Sequence, residues 1–292
     1  MKIFVTGTSS FIGAELLRLC ESRGVEVSGV DLIENDLPNC AVADICSPEI
    51  SDHIPTGVDA VMHLAALSRD PDCKDKALKC FDANVMGSLN LIEAAKAKGA
   101  KQFIFASSEW VYDKFEEGVS KTEDDLIDIA NHTSEYALSK LVSEANLRQK
   151  FANGFCPTTI LRFGIIYGPR KENWSAVESI FNSVATQDTV SVGSLRTGRR
   201  FIHVSDIASA ILAAVGLSGF EILNIQGNQM ITLGDIIETS KEILGKNPGV
   251  TEKNPDQVSL RTVSNEKAKN LIGWEAKVDL KKGLQSVNEH LF

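Results

Sequence analysis

The chain has 292 residues, 43% of them hydrophobic and 24% charged, with a formal net charge of -9, the proportions of an ordinary globular protein of one domain or of a domain with a smaller partner. The acidic balance argues against a nucleic-acid partner, which calls for a basic face, although a few arginines can still hold a small anion. The best apolar stretch, Ile207 to Leu217, is far shorter than the ~20 residues that span a bilayer, so no membrane partner is expected.

The first strand-like run is Lys2 to Val5, with no long apolar secretory core behind Met1. A turn, Thr6-Gly7-Thr8-Ser9-Ser10-Phe11-Ile12-Gly13, leads into a helix-like segment over Phe11 to Ser22. Further strand-like runs follow at 26–30, 60–64, 102–106 and 158–162, with helix-like segments at 81–98 and 134–151. Continuous apolar strands alternating with helices predict a parallel sheet covered on both faces, a doubly wound α/β (Rossmann) fold. Ligands bind such sheets at the carboxyl ends of the strands, where Gly7, Asp31, Ala65, Ala66, Ser107 and Ser108 gather. Beyond Gly168-Pro169-Arg170 come a helix over 173–186, turn-rich short strands over 189–200 and a mixed tail from Thr232. These predict a smaller C-terminal substrate lobe. The expected division is 1–163 plus about 200–222 for the sheet domain, and 164–199 plus 223–292 for the lobe. Six cysteines (Cys20, Cys40, Cys46, Cys73, Cys80, Cys156) show no Cys-x-x-Cys pair and no metal-ligand spacing. They read as reduced thiols of a cytoplasmic protein, with neither a disulfide framework nor a metal.

The turn after the first strand has the context of a dinucleotide site. Gly7 makes the tight turn, Gly13 lets helix and strand pack closely, and the helix N-terminus at Ser10, Phe11 and Ile12 offers N–H groups to a pyrophosphate. Ser10 stands where a middle glycine is usual, and fits if its φ is negative. Asp31, 24 residues after Gly7, is placed to accept from both hydroxyls of an adenosine ribose. No Lys or Arg lies between Arg23 and Arg69 to hold a 2′-phosphate, so NAD is expected over NADP. Asp44 and Ile45 are placed for the adenine edge, with Asp44 alternatively a helix cap before Pro48.

Tyr136 and Lys140 follow Ser108 by 28 and 32 residues and share one helix face. A lysine ammonium there favours the phenolate and draws the tyrosine towards a working base, while Ser108 holds the substrate oxygen.

Taken together, the chain resembles the extended short-chain dehydrogenases/reductases, in the nucleotide-sugar epimerase/dehydratase group. The resemblance rests on Thr6-Gly7…Phe11-Ile12-Gly13, Asp31, Asp44-Ile45, His63-Leu64-Ala65-Ala66, Asn84-Val85-Met86-Gly87-Ser88, Ser107-Ser108 with Val111-Tyr112, and Tyr136…Lys140. It continues through Leu161-Arg162-Phe163…Tyr167-Gly168-Pro169-Arg170, Arg199…Phe201-Ile202-His203-Val204 and Gly273-Trp274. It implies that Ser108, Tyr136 and Lys140 are catalytic, that Leu64, Ala65 and Ala66 line the cofactor groove, and that Asn84 braces the backbone. It further implies that Arg199, with Lys253 as a second cation, faces the substrate diphosphate, although a surface salt bridge is the alternative for Arg199. Relatives dimerise through the helices at 81–98 and 134–151. The apolar positions Leu138, Leu141, Val142 and Ala145 serve that face, or meet only the sheet.

Departures from the pattern lie at Asp113 (glycine in relatives), Ile165 (often asparagine) and Arg200 (commonly aspartate). The implied common step removes the hydroxyl proton through Tyr136 while hydride passes to nicotinamide. Similar dehydratases carry an acid and a carboxylate base directly after the catalytic Ser or Thr. Here those positions hold Glu109 and Trp110. Glu109 can serve as an acid, but tryptophan abstracts no proton, so dehydration and decarboxylation are disfavoured. Trp110 is then a wall beside the sugar or a packed aromatic. NAD-dependent 4-epimerisation of a nucleotide sugar is the expectation. The alternatives are a sugar-nucleotide dehydrogenase or reductase, a 4,6-dehydratase, and a silent NAD-binding protein.

Overall fold

Seven strands make the main sheet: β1 (Lys2–Thr6), β2 (Glu26–Asp31), β3 (Cys40–Val42), β4 (Ala60–His63), β5 (Phe103–Ser108), β6 (Thr158–Phe163) and β7 (Phe220–Ile225). The computed structural model describes residues 1–34, 37–112, 114–116 and 118–292, so Asp113 lies outside the described residues. The strand order is β7-β6-β5-β4-β1-β2-β3, and every pair from β6 to β3 runs parallel. After β3 the chain returns to the other side of β1, so the order reverses between β1 and β4, where open α/β sheets bind ligands. Every residue of β4, β5 and β6 is buried, the reason these segments read as unbroken apolar runs.

Helices α1 (Phe11–Ser22), α2 (Gly87–Ala97) and α3 (Glu135–Ala152) belong to this unit. Its core holds Phe4, Val61, Leu91, Ile92, Phe103, Phe105 and Ile160. The helix expected over 81–98 is built differently. A short helix at Ala77–Phe81 passes through a π-helical turn at Asp82–Met86 before α2 begins. Such turns commonly mark functional positions, and this one carries Asn84.

The chain divides into two compact units: 1–113, 123–163 and 208–223; and 114–122, 164–207 and 224–292. Two pieces fall outside the division expected from the sequence. Residues 114–122 belong to the second unit because Ser120–Lys121 pairs in parallel with Thr262–Val263. Residues 200–207 do so because Ile202–His203 pairs with Ile166–Tyr167.

The second unit packs α4 (Ala176–Thr186), α5 (Leu233–Leu244) and α6 (Leu280–Leu291) around Tyr167, Phe181, Ile236, Ile237 and Leu284. Capping boxes start two of these helices, Ser175 with Glu178 and Thr232 with Asp235. The Ser175 cap sets the start of α4 three residues later than the sequence suggests.

The cysteine reading needs correction. Cys73 and Cys80 form a disulfide, while Cys20, Cys40, Cys46 and Cys156 are free. Two short helices, Asp70–Cys73 and Ala77–Phe81, fold back so that the two Cα atoms stand 5.1 Å apart. Reduced thiols therefore describe four of the six, and composition no longer argues a reducing setting. Among the described residues no helix is long and apolar enough to cross a membrane.

Candidate active site

The turn after β1 is shaped by backbone contact. Gly7 has φ +81°, and a Cβ there would lie 2.9 Å from the Ala65 backbone nitrogen. A Cβ on Gly13 would lie 2.0 Å from the Gly7 carbonyl oxygen, so α1 can meet β1 this closely only without a side chain. Ser10 has φ -69°, the negative value that lets a serine stand in for glycine, and its hydroxyl caps α1 by accepting from Gly13 N at 3.1 Å. Asp31 at the end of β2 accepts from Ser9 N (2.8 Å) and Ile33 N (3.1 Å), which fixes the carboxylate while leaving lone pairs for further donors. The wall across the turn is held by Thr6, whose hydroxyl meets Ala65 N at 3.2 Å and His63 Nδ1 at 2.8 Å. These residues fit a dinucleotide: a helix N-terminus faces the turn, no side chain crowds it, and a carboxylate stands one strand away.

Phe11 and Ile12 are half-buried, Leu64 is buried, and Ala65 and Ala66 are half-buried beside Gly7. Asp44 is exposed and turns its carboxylate to Cys46 N at 2.8 Å within a turn; the next helix, Ile50–His53, starts after Glu49, so Asp44 is not the helix cap expected before Pro48. Ile45 is buried in the core, packed over Gly87. Asn84 accepts from Leu67 N (2.8 Å) and donates to Leu67 O and Ser139 Oγ (both 3.0 Å), tying the segment after β4 to α3.

Ser108 ends β5, and Tyr136 and Lys140 lie one turn apart on α3; all three are buried. Ser108 acts on the Tyr136 phenol, favouring its charged form. Lys140 Nζ donates to the Ala106 carbonyl at 2.9 Å and sits 5.9 Å from the centre of the Tyr136 ring. Burial pushes the Tyr136 phenol up to about 12, with Ser108 opposing. It pulls the Lys140 ammonium down to about 8, with the Glu144 carboxylate opposing. In the protein alone, desolvation of Tyr136 therefore outweighs the lowering expected from Lys140. His63, sealed in β4 beside Lys140, is pushed down to about 3 and bridges Thr6 and Ser88 as a neutral ring.

After Ser108 a 3-10 turn carries Glu109 and Trp110. Glu109 is buried and Trp110 is 38% exposed, with its backbone nitrogen donating to Ser108 Oγ at 3.2 Å. In the second unit Arg199 is half-buried, its guanidinium donating to the Gly198 and Ser259 carbonyls at 2.6 Å and to Ser259 Oγ at 3.1 Å. Lys253 is exposed. Ile165 packs on the apolar core, and the buried Nε of Arg200 has no partner among the described residues.

One network escaped the sequence reading, which names Ser107 and Arg162 without giving them a partner: both bond to Glu144, the three buried together beside the trio. Glu144 lies four residues after Lys140, a spacing visible in the sequence, but its partner on β6 is fixed only by strand register.

A model of the NAD dependent epimerase/dehydratase family matches residues 3–225. The chain is 27% identical to an uncharacterized UDP-glucose epimerase, YtcB, of Bacillus subtilis (strain 168), over 97% of this chain and 96% of the relative. It is 25% identical to UDP-glucuronic acid decarboxylase 1 of Arabidopsis thaliana, over 97% of this chain and 68% of that protein. The structure of MoeE5 in complex with UDP-glucose and NAD aligns with a TM-score of 0.87 at 25% identity, covering 99% of this chain and 98% of that one. The family match begins in β1 and runs out with β7, spanning the whole sheet, and the chain belongs to the NAD dependent epimerase/dehydratase family.

Proposed function

We propose that this enzyme inverts the C4 carbinol of a UDP-sugar, using NAD as a cofactor that it keeps. The observation carrying this reading is the joint burial of Ser108, Tyr136 and Lys140, the last two one turn apart on α3, next to a tryptophan where related dehydratases keep a carboxylate base. Gly7, Ser10, Gly13 and Asp31 are the residues that would hold NAD. When bound, NAD would supply reversible hydride transfer at the sugar carbon. Tyr136 accepts the hydroxyl proton in the first half and returns it in the second, and Ser108 holds the oxygen. Lys140 supplies positive charge behind the phenol. Glu109 and Trp110 bound the space beside the sugar, and Arg199 and Lys253 are assigned to the diphosphate. The names of the Bacillus relative and of the MoeE5 complex support a UDP-sugar and NAD. Pairing of two copies through α2 and α3 is part of the same reading, since Leu138, Leu141 and Val142 remain half-buried in one copy; light scattering tests it.

The experiment is to denature purified protein and identify released NAD by mass spectrometry. Intact protein is then incubated with UDP-glucose and with UDP-glucuronate, and the sugars are followed by NMR. Bound NAD and a 4-epimer, with no net nicotinamide absorbance change, support the proposal. Stoichiometric NADH formation would assign a dehydrogenase instead, and loss of carbon dioxide from UDP-glucuronate a decarboxylase.

A further inference from the structure

The residues behind the trio form a closed buried network. Arg162 on β6 donates through Nε to Glu144 Oε1 (3.0 Å) and through Nη2 to Glu144 Oε2 (2.6 Å), a bidentate pair. Its third nitrogen donates to the Tyr112 hydroxyl at 2.8 Å, just past the turn that carries Glu109 and Trp110. Ser107 Oγ donates to Glu144 Oε1 at 2.5 Å, and strand register sets Ser107 opposite Arg162 and Ser108 opposite Phe163. One carboxylate thus ties α3, β5 and β6 together at the residue beside the catalytic serine.

We propose that Glu144, clamped by Arg162, is a positioning residue that keeps Lys140 charged and fixes the Ser107-Ser108 strand end against α3. The proposal rests on the reading of Ser108, Tyr136 and Lys140 as the proton-transfer set. A buried ion pair is weak evidence of stability in itself, since apolar replacements often serve as well. What distinguishes this pair is its place one helical turn from Lys140. The groups around that ammonium are Tyr136 and Glu144, one turn to either side on α3, the Ala106 carbonyl on β5 that accepts from it, and His63 on β4. The charge of Arg162 is matched by Glu144. Burial disfavours the ammonium, and Glu144 is the carboxylate opposing it. Without that carboxylate, desolvation and an unmatched guanidinium both act to strip the proton from Lys140.

The test follows the ε-carbon resonance of Lys140 through a pH titration of carbon-13-lysine protein, assigned by its loss in Lys140→Arg, alongside kcat and KM against pH. In Glu144→Gln the Lys140 midpoint falls by about one pH unit or more. The alkaline limb of kcat moves down by the same amount, with KM little changed. Glu144→Asp, which keeps the charge, returns the midpoint towards that of the unaltered protein. Ser107→Ala lowers kcat about tenfold through misplacement of Ser108, without lowering the midpoint. An unmoved midpoint in Glu144→Gln, or a moved midpoint with an unmoved rate profile, overturns the proposal. If Glu144→Gln does not fold, an unchanged kcat in Ser107→Ala overturns it. Absence of turnover in the unaltered protein would count against the proposed reaction, while the titration still decides whether Glu144 holds the charge on Lys140.

Discussion

Lys140 is a buried charge that costs the fold stability, and Lys140→Met measures that cost. The side chain is 4% exposed, and burial lowers its pKa from 10.5 to about 8. Each pKa unit corresponds to about 1.4 kcal/mol, so the buried ammonium costs the fold about 3 kcal/mol where it is charged in both states. Methionine keeps most of the stem and removes the charge. Against that gain, the Ala106 carbonyl loses its donor, a penalty of about 1–2 kcal/mol. The variant should therefore be more stable at neutral pH by about 1–2 kcal/mol, and inactive. The pH dependence has a definite sign. The unfolded chain holds the Lys140 proton up to its ordinary value, whereas the folded chain releases it from about 8 upward. Between those values the unfolded state binds more protons, so stability of the unaltered protein rises with pH relative to the variant. The advantage of Lys140→Met should shrink through that window. Urea unfolding at neutral pH and at about pH 10 reads both quantities. A variant less stable at neutral pH, or a gap that does not narrow, would refute the reasoning.

Tyr136→Phe deletes the buried hydroxyl assigned to proton transfer in the proposed function, and should cut turnover by about 10²–10⁴-fold or more while NAD stays bound, read by NMR turnover and by cofactor release on denaturation. Gly13→Ala places a Cβ 2.0 Å from the Gly7 carbonyl, a backbone clash that cannot be relieved by a rotamer. Overpacking of this kind costs about 1–3 kcal/mol, and NAD affinity by calorimetry should drop about tenfold or more. On the proposed cofactor site, Asp31→Ser removes a carboxylate that would repel a 2′-phosphate, so the ratio of NAD to NADP affinity should fall; an unchanged ratio would detach Asp31 from the ribose. Thiol titration in denaturant should find the four free cysteines before reduction and all six after it.

The first helix was legible from Phe11 to Ser22 because a serine cap and a continuous apolar face both lie within a few residues of it. The trio was legible for the same reason: Tyr136 and Lys140 are local to one helix, and Ser108 closes a strand of obvious apolar character. The segment at 81–98 came apart because the π-turn at Asp82–Met86 inserts a residue into the helical register, which an apolar pattern does not record. Ser120–Lys121 was misplaced because two polar residues become a strand only on meeting Thr262–Val263, far along the chain. Cys73 and Cys80 bear no motif, and only the folding back of two short helices brings them together. The Glu144 network was half legible. Its spacing from Lys140 is local, but the bond to Arg162 depends on how β5 and β6 align.

The fold does not choose among the reactions of this family, because relatives named as an epimerase and as a decarboxylase both align over 97% of the chain. What chooses is the inventory of proton acceptors left after the shared first step. On the proposed function Tyr136 serves the carbinol, buried with Ser108. Lys140 is turned to the Ala106 carbonyl, and His63 is held neutral between two hydroxyls. Glu144 is spent on Arg162 and Ser107. Of the side chains directly after Ser108, Glu109 bears a carboxyl and Trp110 bears none. Elimination of water needs an acid and a base at those two places, whereas inversion needs only that the ketone turn and meet Tyr136 again. Trp110, partly exposed beside Ser108, is compatible with the second requirement and not with the first. A carboxylate at position 110 is thus the single substitution that should move this site towards elimination, and its failure to do so would place the missing base elsewhere.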